Sequence, residues 1–262
     1  EAEDTRLKRR VALKMLRQGE DAPAETVARL HREAKIAAQL THPNIVPVHD
    51  VGTAPGPKGK KIHYIVMDYI EGKTLSHKMY NKKIDRRRLV KMIEDVCRAV
   101  QYAHEQGVLH RDIKPANVMV NREEKVFLTD FGLARAEQFN TQLTASQHVM
   151  GTPQYMAPEQ AEARQKDIAP CTDIYALGVI LYEMLAGKTP FHDATTPIDL
   201  FRRLKNSEPP RPSQLKKGVE QDLEIIALKA MEKEPKRRYA SAGAMADDLR
   251  RSLAGEPIEA RP

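Results

Sequence analysis

At residues 110–117 the chain reads His-Arg-Asp-Ile-Lys-Pro-Ala-Asn, and at residues 130–132 it reads Asp-Phe-Gly. Residues 118–128 between these stretches are apolar at both ends and polar in the middle. Two short strands joined by a polar turn are typical of a β-hairpin. The sequence therefore predicts a hairpin whose base carries the first stretch and whose far end leads into the second.

The predicted hairpin gathers polar side chains around one point. Asp112, Lys114 and Asn117 lie at its base, and Asp130 follows its second strand. Carboxylate and amide oxygens suit Mg²⁺ that is bound together with phosphates. An aspartate can orient a hydroxyl and take its proton, and a lysine can neutralise a phosphoryl group in transfer. A solvated polar loop is the alternative for each residue alone, but the order of the whole stretch favours a catalytic site.

This pattern resembles the catalytic loop and the metal-binding segment of the protein kinase family. The resemblance implies that Asp112 is the catalytic base and that Lys114 stabilises charge on the γ-phosphate of ATP. It also implies that Asn117 and Asp130 hold Mg²⁺. Lys114 followed by Pro115 resembles the Ser/Thr-specific version of the loop. The implied activity is transfer of the ATP γ-phosphate to Ser or Thr hydroxyls of proteins, with ATP and Mg²⁺ as cofactors.

A lysine on a predicted strand and a glutamate on the following helix form a second candidate pair. The segment 11–14, Val-Ala-Leu-Lys, resembles the kinase strand whose lysine holds the α- and β-phosphates of ATP. By that resemblance Lys14 is the lysine and Glu33 is its partner on the helix. Without the resemblance, both residues would be interpreted as unrelated surface charges.

The adenine pocket is implied by residues that would otherwise be assigned to the core. Met67-Asp68-Tyr69-Ile70 resembles the hinge between the two kinase lobes. The Asp68 carbonyl and the Ile70 amide would bind the adenine edge, with Met67 as gatekeeper. Ala12 and Met119 would sandwich the purine.

Residues 151–159, Gly-Thr-Pro-Gln-Tyr-Met-Ala-Pro-Glu, resemble the substrate-docking segment of kinases. By resemblance, Thr152 would bridge Asp112 and Lys114. Glu159 would form a buried ion pair with Arg238. The alternative for that pair is two separate surface charges.

Two further roles follow from the resemblance. Asp173, at the start of an apolar helix, would hold the backbone of the catalytic loop. Arg111 would join a basic pocket for a phosphate on the activation loop, for which Thr141, Thr144 and Ser146 are the candidates. Such a charge-assisted pairing could order the loop.

The amino-acid composition limits the classes of partner that the chain is expected to bind. The 262-residue chain has a net charge of +7, but no aromatic residues are interleaved with its short basic clusters to stack bases. Nucleic-acid binding is therefore not expected. No stretch reaches the roughly 18 apolar residues of a membrane span. The two cysteines form neither a disulfide framework nor a zinc motif, which is consistent with the cytoplasm.

The pattern of elements predicts an α+β, two-lobed, protein-kinase-like fold. Strands are expected near 10–16, 45–51 and 62–67, a helix from about Ala24 to Leu40, and a loop over 52–61. We place a small antiparallel-sheet N-lobe with one helix at 1–67 and a hinge at 68–72. A larger, mostly helical C-lobe follows at 73–254, and 255–262 is interpreted as the start of a linker.

One feature departs from the family pattern. No Gly-x-Gly-x-x-Gly turn precedes Lys14, and residues 2–7 resemble the strand that follows that turn. We therefore expect the chain to begin after the first strand and the glycine-rich loop, and to bind Mg·ATP weakly on its own. Pro158-Glu159-Gln160 fits eukaryotic-like bacterial Ser/Thr kinases. In that group the kinase domain often lies on the cytoplasmic side of a larger, sometimes membrane-anchored chain.

Two other functions compete with an active protein kinase. A pseudokinase or inactive fragment would act as a binding scaffold, although Lys14, Asp112, Asn117 and Asp130 are all present. A kinase-like enzyme for small molecules is disfavoured by the docking segment. The expected partners are protein substrates, ATP and a second copy of the chain during autophosphorylation.

Overall fold

The structure is a computed structural model that describes residues 1–15, 24–56, 61–81, 84–131 and 153–261. It has a four-stranded sheet and one helix at the N-terminal end, and a second, small sheet followed by helices in the remainder. The predicted two-lobed α+β fold is confirmed.

The first sheet is antiparallel throughout, with strand order β1-β2-β4-β3. Its strands are β1 (Ala2–Asp4), β2 (Arg9–Met15), β3 (Val48–Pro55) and β4 (Lys61–Asp68). Helix α1 (Ala24–Ala37) packs Leu30 and Ala34 against Ile65 of β4, and these side chains form a small separate core.

Three of these boundaries differ from those predicted from the sequence. Helix α1 ends at Ala37 rather than at Leu40. Strand β3 begins at Val48 rather than near residue 45, and it extends to Pro55, so that residues 52–55 of the loop expected at 52–61 lie in a strand; β4 begins at Lys61. Cross-strand pairs from Val48↔Met67 to Pro55↔Lys61 stabilise these residues as strands despite their turn-forming composition.

The second sheet has the order β5-β6-β7, with β5 at Gly72–Thr74, β6 at Val118–Asn121 and β7 at Val126–Leu128. Strands β6 and β7 are antiparallel neighbours, so the predicted hairpin is confirmed. Hydrogen bonds from Val46 N to the Leu128 carbonyl (2.9 Å) and from Leu128 N to the Asn44 carbonyl (2.7 Å) connect the hairpin to the N-terminal part.

The other α-helices of the described residues are α2 (Leu75–Met79), α3 (Arg86–Glu105), α4 (Pro158–Ala161), α5 (Pro170–Ala186), α6 (Pro197–Asn206), α7 (Pro212–Leu215), α8 (Gln221–Ala230) and α9 (Ala242–Ala254). Helix α5 is buried over nearly its whole length, as its apolar composition predicts. A Cβ on Gly178 would lie 2.7 Å from the Ala230 Cβ, so the close approach of α5 and α8 requires glycine there. None of the helices within the described ranges is long and apolar enough to cross a membrane.

A buried ion pair joins α4 to the C-terminal helices, as predicted. Arg238 Nη1 and Nη2 donate to Glu159 Oε1 (2.7 Å) and Oε2 (2.8 Å), and both side chains are 0% exposed. The Thr172 hydroxyl donates to Glu159 Oε1, and the guanidinium also donates to the Cys171 carbonyl. Burial alone would raise the pKa of Glu159, but the bonds from Arg238 outweigh it and hold the pKa below its ordinary value.

Residues 255–261, which include most of the predicted linker, pack against helix α9. The buried Asp248 carboxylate accepts from the backbone amides of Glu259 (2.8 Å) and Ala260 (2.9 Å), and Ile258 is buried. The domain bounds remain a prediction, but this segment is attached to the helical core.

We expect Glu159→Gln to lower the free energy of unfolding by about 3–5 kcal/mol, because it leaves the Arg238 guanidinium buried without its counter-charge. Urea denaturation followed by circular dichroism measures the loss. Asp167→Asn is the control, since the exposed Arg164–Asp167 pair should contribute less than about 1 kcal/mol. A loss in Glu159→Gln no larger than in the control would contradict this account.

Candidate active site

The loop before the hairpin folds its polar side chains onto one another. Lys114 Nζ donates to Asp112 Oδ2 (3.0 Å), and Asn117 Nδ2 donates to the Asp112 carbonyl (2.8 Å) and to Asp112 Oδ2 (3.1 Å). A turn of 3-10 helix at Pro115–Asn117 positions the asparagine. The structure thus brings together the three predicted residues of the catalytic loop, which we define as residues 110–117.

Asp130 lies just beyond β7 and contacts the N-terminal sheet. Lys14 Nζ, on β2, lies 2.7 Å from Asp130 Oδ1, and each side chain is more than a third exposed. The Thr129 amide donates to the Asn117 carbonyl (2.9 Å), so the residue before Asp130 is hydrogen-bonded to the catalytic loop. The predicted pairing of Lys14 with Glu33 stays a prediction, because the Glu33 side chain is outside the described part of the chain.

Asp173 on α5 holds the backbone of the catalytic loop, as predicted. Its Oδ2 accepts from the His110 amide (2.9 Å), and its Oδ1 accepts from the Arg111 amide (2.7 Å). His104 Nε2 lies 2.8 Å from the same carboxylate. Burial alone would raise the pKa of Asp173, but the His104 contact and the backbone donors leave it below its ordinary value.

His104 was missed by sequence reasoning. It lies in the last turn of α3, and its partner Asp173 is 69 positions away. A polar residue at the end of an amphipathic helix carries no local signal of such a contact. Only the packing of α3 on α5 creates it.

The His110 ring connects the loop to the far end of the hairpin. Its Nδ1 accepts from the Asp112 amide (3.3 Å), which leaves Nε2 to donate to the Thr129 carbonyl (3.0 Å). The ring is buried and lies 4.7 Å from the Phe131 ring, centroid to centroid. Burial lowers the pKa of His110, consistent with a neutral imidazole in this arrangement.

A small cavity of about 30 Å³ lies between the N-terminal sheet and the hairpin. Its walls include Lys14, Met67 and Asp130 together with Val48 and Phe131. The predicted gatekeeper therefore shares a cavity with the predicted phosphate-binding lysine and metal ligand.

The other adenine-pocket candidates are not among the residues that line this cavity. Ala12 pairs with Met67 across β2 and β4, Asp68 ends β4, and Met119 is on β6. The Asp68 side chain contacts His49 (2.6 Å), and the role of the Asp68 carbonyl as the adenine acceptor stays a prediction. Ile70 lies in the connection to β5.

Part of the docking segment is described. Thr152 and the loop residues Thr141, Thr144 and Ser146 lie outside the described residues. Tyr155 donates to Glu183 Oε2 on α5 (2.6 Å), which anchors the described end of the segment to the core. Arg111 Nε is buried and has no hydrogen-bond partner within the described part of the chain.

The donor set fits a hard cation held together with phosphate. Asn117 uses its amide nitrogen in both of its side-chain hydrogen bonds, so its oxygen keeps acceptor capacity, and Asp130 contributes a carboxylate. The described residues contain no cluster of three or more His, Cys, Asp or Glu that could hold a metal alone. A metal here would need phosphate oxygens as further ligands, which is how Mg²⁺ binds in nucleotide enzymes.

Comparison with known proteins gives one family. The protein kinase domain profile matches residues 1–249. The chain is 39% identical over 260 residues to the serine/threonine-protein kinase PknB of Mycobacterium leprae, and 40% over 261 residues to that of Mycobacterium tuberculosis. It is 38% identical over 250 residues to a probable serine/threonine-protein kinase of Clostridium acetobutylicum. These matches cover 95–99% of the chain but only 36–41% of the relatives.

We expect Asp173→Asn to lower the free energy of unfolding at pH 7 by about 1–3 kcal/mol, because an amide cannot accept from all the buried donors. The carboxylate of the parent stabilises the fold above its unfolded-state pKa of about 3.9 and loses this effect as pH falls further. The difference in the free energy of unfolding between parent and variant, measured by denaturant titration, should therefore become smaller below about pH 4. The control is Asp247→Asn, a surface carboxylate bound to Arg98; an equal loss in both variants would refute the role of Asp173.

Proposed function

The chain belongs to the protein kinase family, and from that premise we propose that it transfers the γ-phosphate of ATP to Ser and Thr hydroxyls of proteins. The observation that carries the proposal is the convergence of Asp112, Lys114 and Asn117 at the base of the hairpin, with Asp130 held next to Lys14. The chain spans about two fifths of the length of the curated relatives. Their printed names, serine/threonine-protein kinase, support the choice of acceptor hydroxyl.

Each residue of the loop has a distinct task in the proposed reaction. The Asp112 carboxylate orients the substrate hydroxyl and takes its proton as the oxygen–phosphorus bond forms and the bond to ADP breaks. Lys114, whose Nζ lies 3.0 Å from that carboxylate, would neutralise the γ-phosphoryl group. Thr152 would bridge these two residues.

Nucleotide binding is assigned to the cavity and its surroundings. Asn117 and Asp130 would hold Mg²⁺, which neutralises phosphate charge when bound. Lys14 would exchange its contact with Asp130 for the α- and β-phosphates, with Glu33 as its second partner. Ala12, Met67 and Met119 would surround the purine, and the Asp68 carbonyl and the Ile70 amide would bind its edge.

Regulation is proposed to act through Arg111. Its buried Nε has no partner among the described residues, and the adjacent backbone is part of the catalytic loop. A phosphate on Thr141, Thr144 or Ser146 would supply a charge-assisted acceptor and order the loop around Asp112. Two copies of the chain would meet transiently for this autophosphorylation. We place the reaction in the cytoplasm, where the kinase domain of a membrane-anchored parent protein would also lie.

We expect Asp112→Asn and Asp130→Asn each to lower turnover at least roughly 100-fold, the lower range for a positioned base. Transfer of labelled phosphate from ATP to a basic protein substrate measures it, at enzyme concentrations high enough to follow slow turnover. Asp193→Asn is the matched control, because this exposed carboxylate lies outside the site, where it forms an ion pair with Arg203. Turnover close to the parent in either site variant would reject the assignment.

We also expect phosphate on at least one of Thr141, Thr144 and Ser146 after incubation with Mg·ATP, and slower turnover in the variant with all three changed to Ala. Mass spectrometry of proteolytic peptides locates the modification. Full activity with an unmodified loop would contradict the regulatory proposal. A product that is mainly phosphotyrosine would contradict the proposed acceptor.

A further inference from the structure

We infer that Gln160 is a positioning residue for the reaction proposed above, and that it acts by fixing the peptide group that precedes Asp112. Its Nε2 donates to the Arg111 carbonyl at 2.9 Å. Its Oε1 accepts from the Ala157 amide at 3.0 Å. Because a backbone N–H must donate and a carbonyl must accept, these two contacts define the orientation of the side-chain amide.

The peptide group between Arg111 and Asp112 is the target of this contact. Its carbonyl oxygen is held by Gln160, and its N–H donates to His110 Nδ1 (3.3 Å). The plane of that peptide is therefore fixed from both sides, and it determines the direction in which the Asp112 side chain leaves the backbone.

The local backbone needs such support. Arg111 has φ 64°, in the left-handed region that residues with a Cβ rarely adopt. The Asp173 carboxylate holds the N–H on one side of this residue at 2.7 Å, and Gln160 holds the carbonyl on the other. Strained conformations of this kind persist only where the surroundings determine them fully.

Gln160 is itself well anchored. The preceding residue, Glu159, forms the fully buried ion pair with Arg238, and the Ala157 side chain is 0% exposed. Short helix α4 is therefore held firmly in the core, and from it the side-chain amide of Gln160 reaches the catalytic loop. Through it, the docking segment and the residue proposed as the base are coupled by a single side chain.

Helix capping is the other function that Gln160 could have, and the chain offers a matched comparison. Gln214 on α7 accepts from the Arg211 amide at 3.2 Å, in the same position relative to its helix. No hydrogen bond from Gln214 to the catalytic loop accompanies this cap among the described contacts. Substitutions at Gln214 therefore measure the loss of the cap alone.

The test compares Gln160→Glu and Gln160→Met with Gln214→Glu and Gln214→Met. Gln160→Glu keeps an acceptor for the Ala157 amide but sets a carboxylate oxygen against the Arg111 carbonyl, whereas Gln160→Met loses both bonds. We expect kcat to fall about 3- to 10-fold in both Gln160 variants, the size of one net hydrogen bond, with KM for ATP near that of the parent. The Gln214 variants should keep the parent kcat.

A second readout does not depend on activity. Hydrogen exchange of peptides spanning residues 108–114 should be faster in Gln160→Glu than in the parent, with no change in peptides from 174–185 on helix α5. Parent kcat and parent exchange in Gln160→Glu would overturn the inference. If the parent transfers no phosphate, the proposed function fails and the exchange experiment alone decides the role of Gln160; if Gln160→Met does not fold, Gln160→Glu decides it.

Discussion

The structure depends on one buried carboxylate, that of Asp173. Three donors reach it from two directions: the His104 ring from α3, and the backbone amides of His110 and Arg111 from the catalytic loop. A buried charge is stable only when hydrogen bonds replace its lost hydration. The loop must therefore approach α5 closely, and this approach holds the backbone that directly precedes Asp112.

Helix α5 can carry this role because its surroundings are rigid. It is buried on all sides, and its first turn also supplies Thr172, whose hydroxyl donates to Glu159 in the buried ion pair with Arg238. The loop and the described end of the docking segment are thus attached to the same helix by polar contacts. An apolar contact alone would exclude water there but would not fix the direction of either segment.

The catalytic hairpin, the helical core and the Glu159–Arg238 pair could be predicted from the sequence, because each is marked by periodicity or by a family pattern. The end of α1 and the start of β3 could not, since cross-strand pairing and packing on Ile65 decide them. The contact of His104 with Asp173 and the hydrogen bond from Gln160 to the Arg111 carbonyl were missed because the partners are distant along the chain. The site assignments stay predictions: the structure shows the contact of Lys14 with Asp130, while the predicted pairing of Lys14 with Glu33 is not tested because the Glu33 side chain lies outside the described part of the chain.

The most direct test of the central claim is a calorimetric titration of the chain with a non-hydrolysable ATP analogue, with and without Mg²⁺. The account predicts binding that is strengthened by Mg²⁺ in the parent, and that loses this metal dependence in Asp130→Asn while its fold is kept. Equal affinity in parent and variant, or binding indifferent to Mg²⁺ in the parent, would show that Asp130 and Asn117 do not form a metal–nucleotide site.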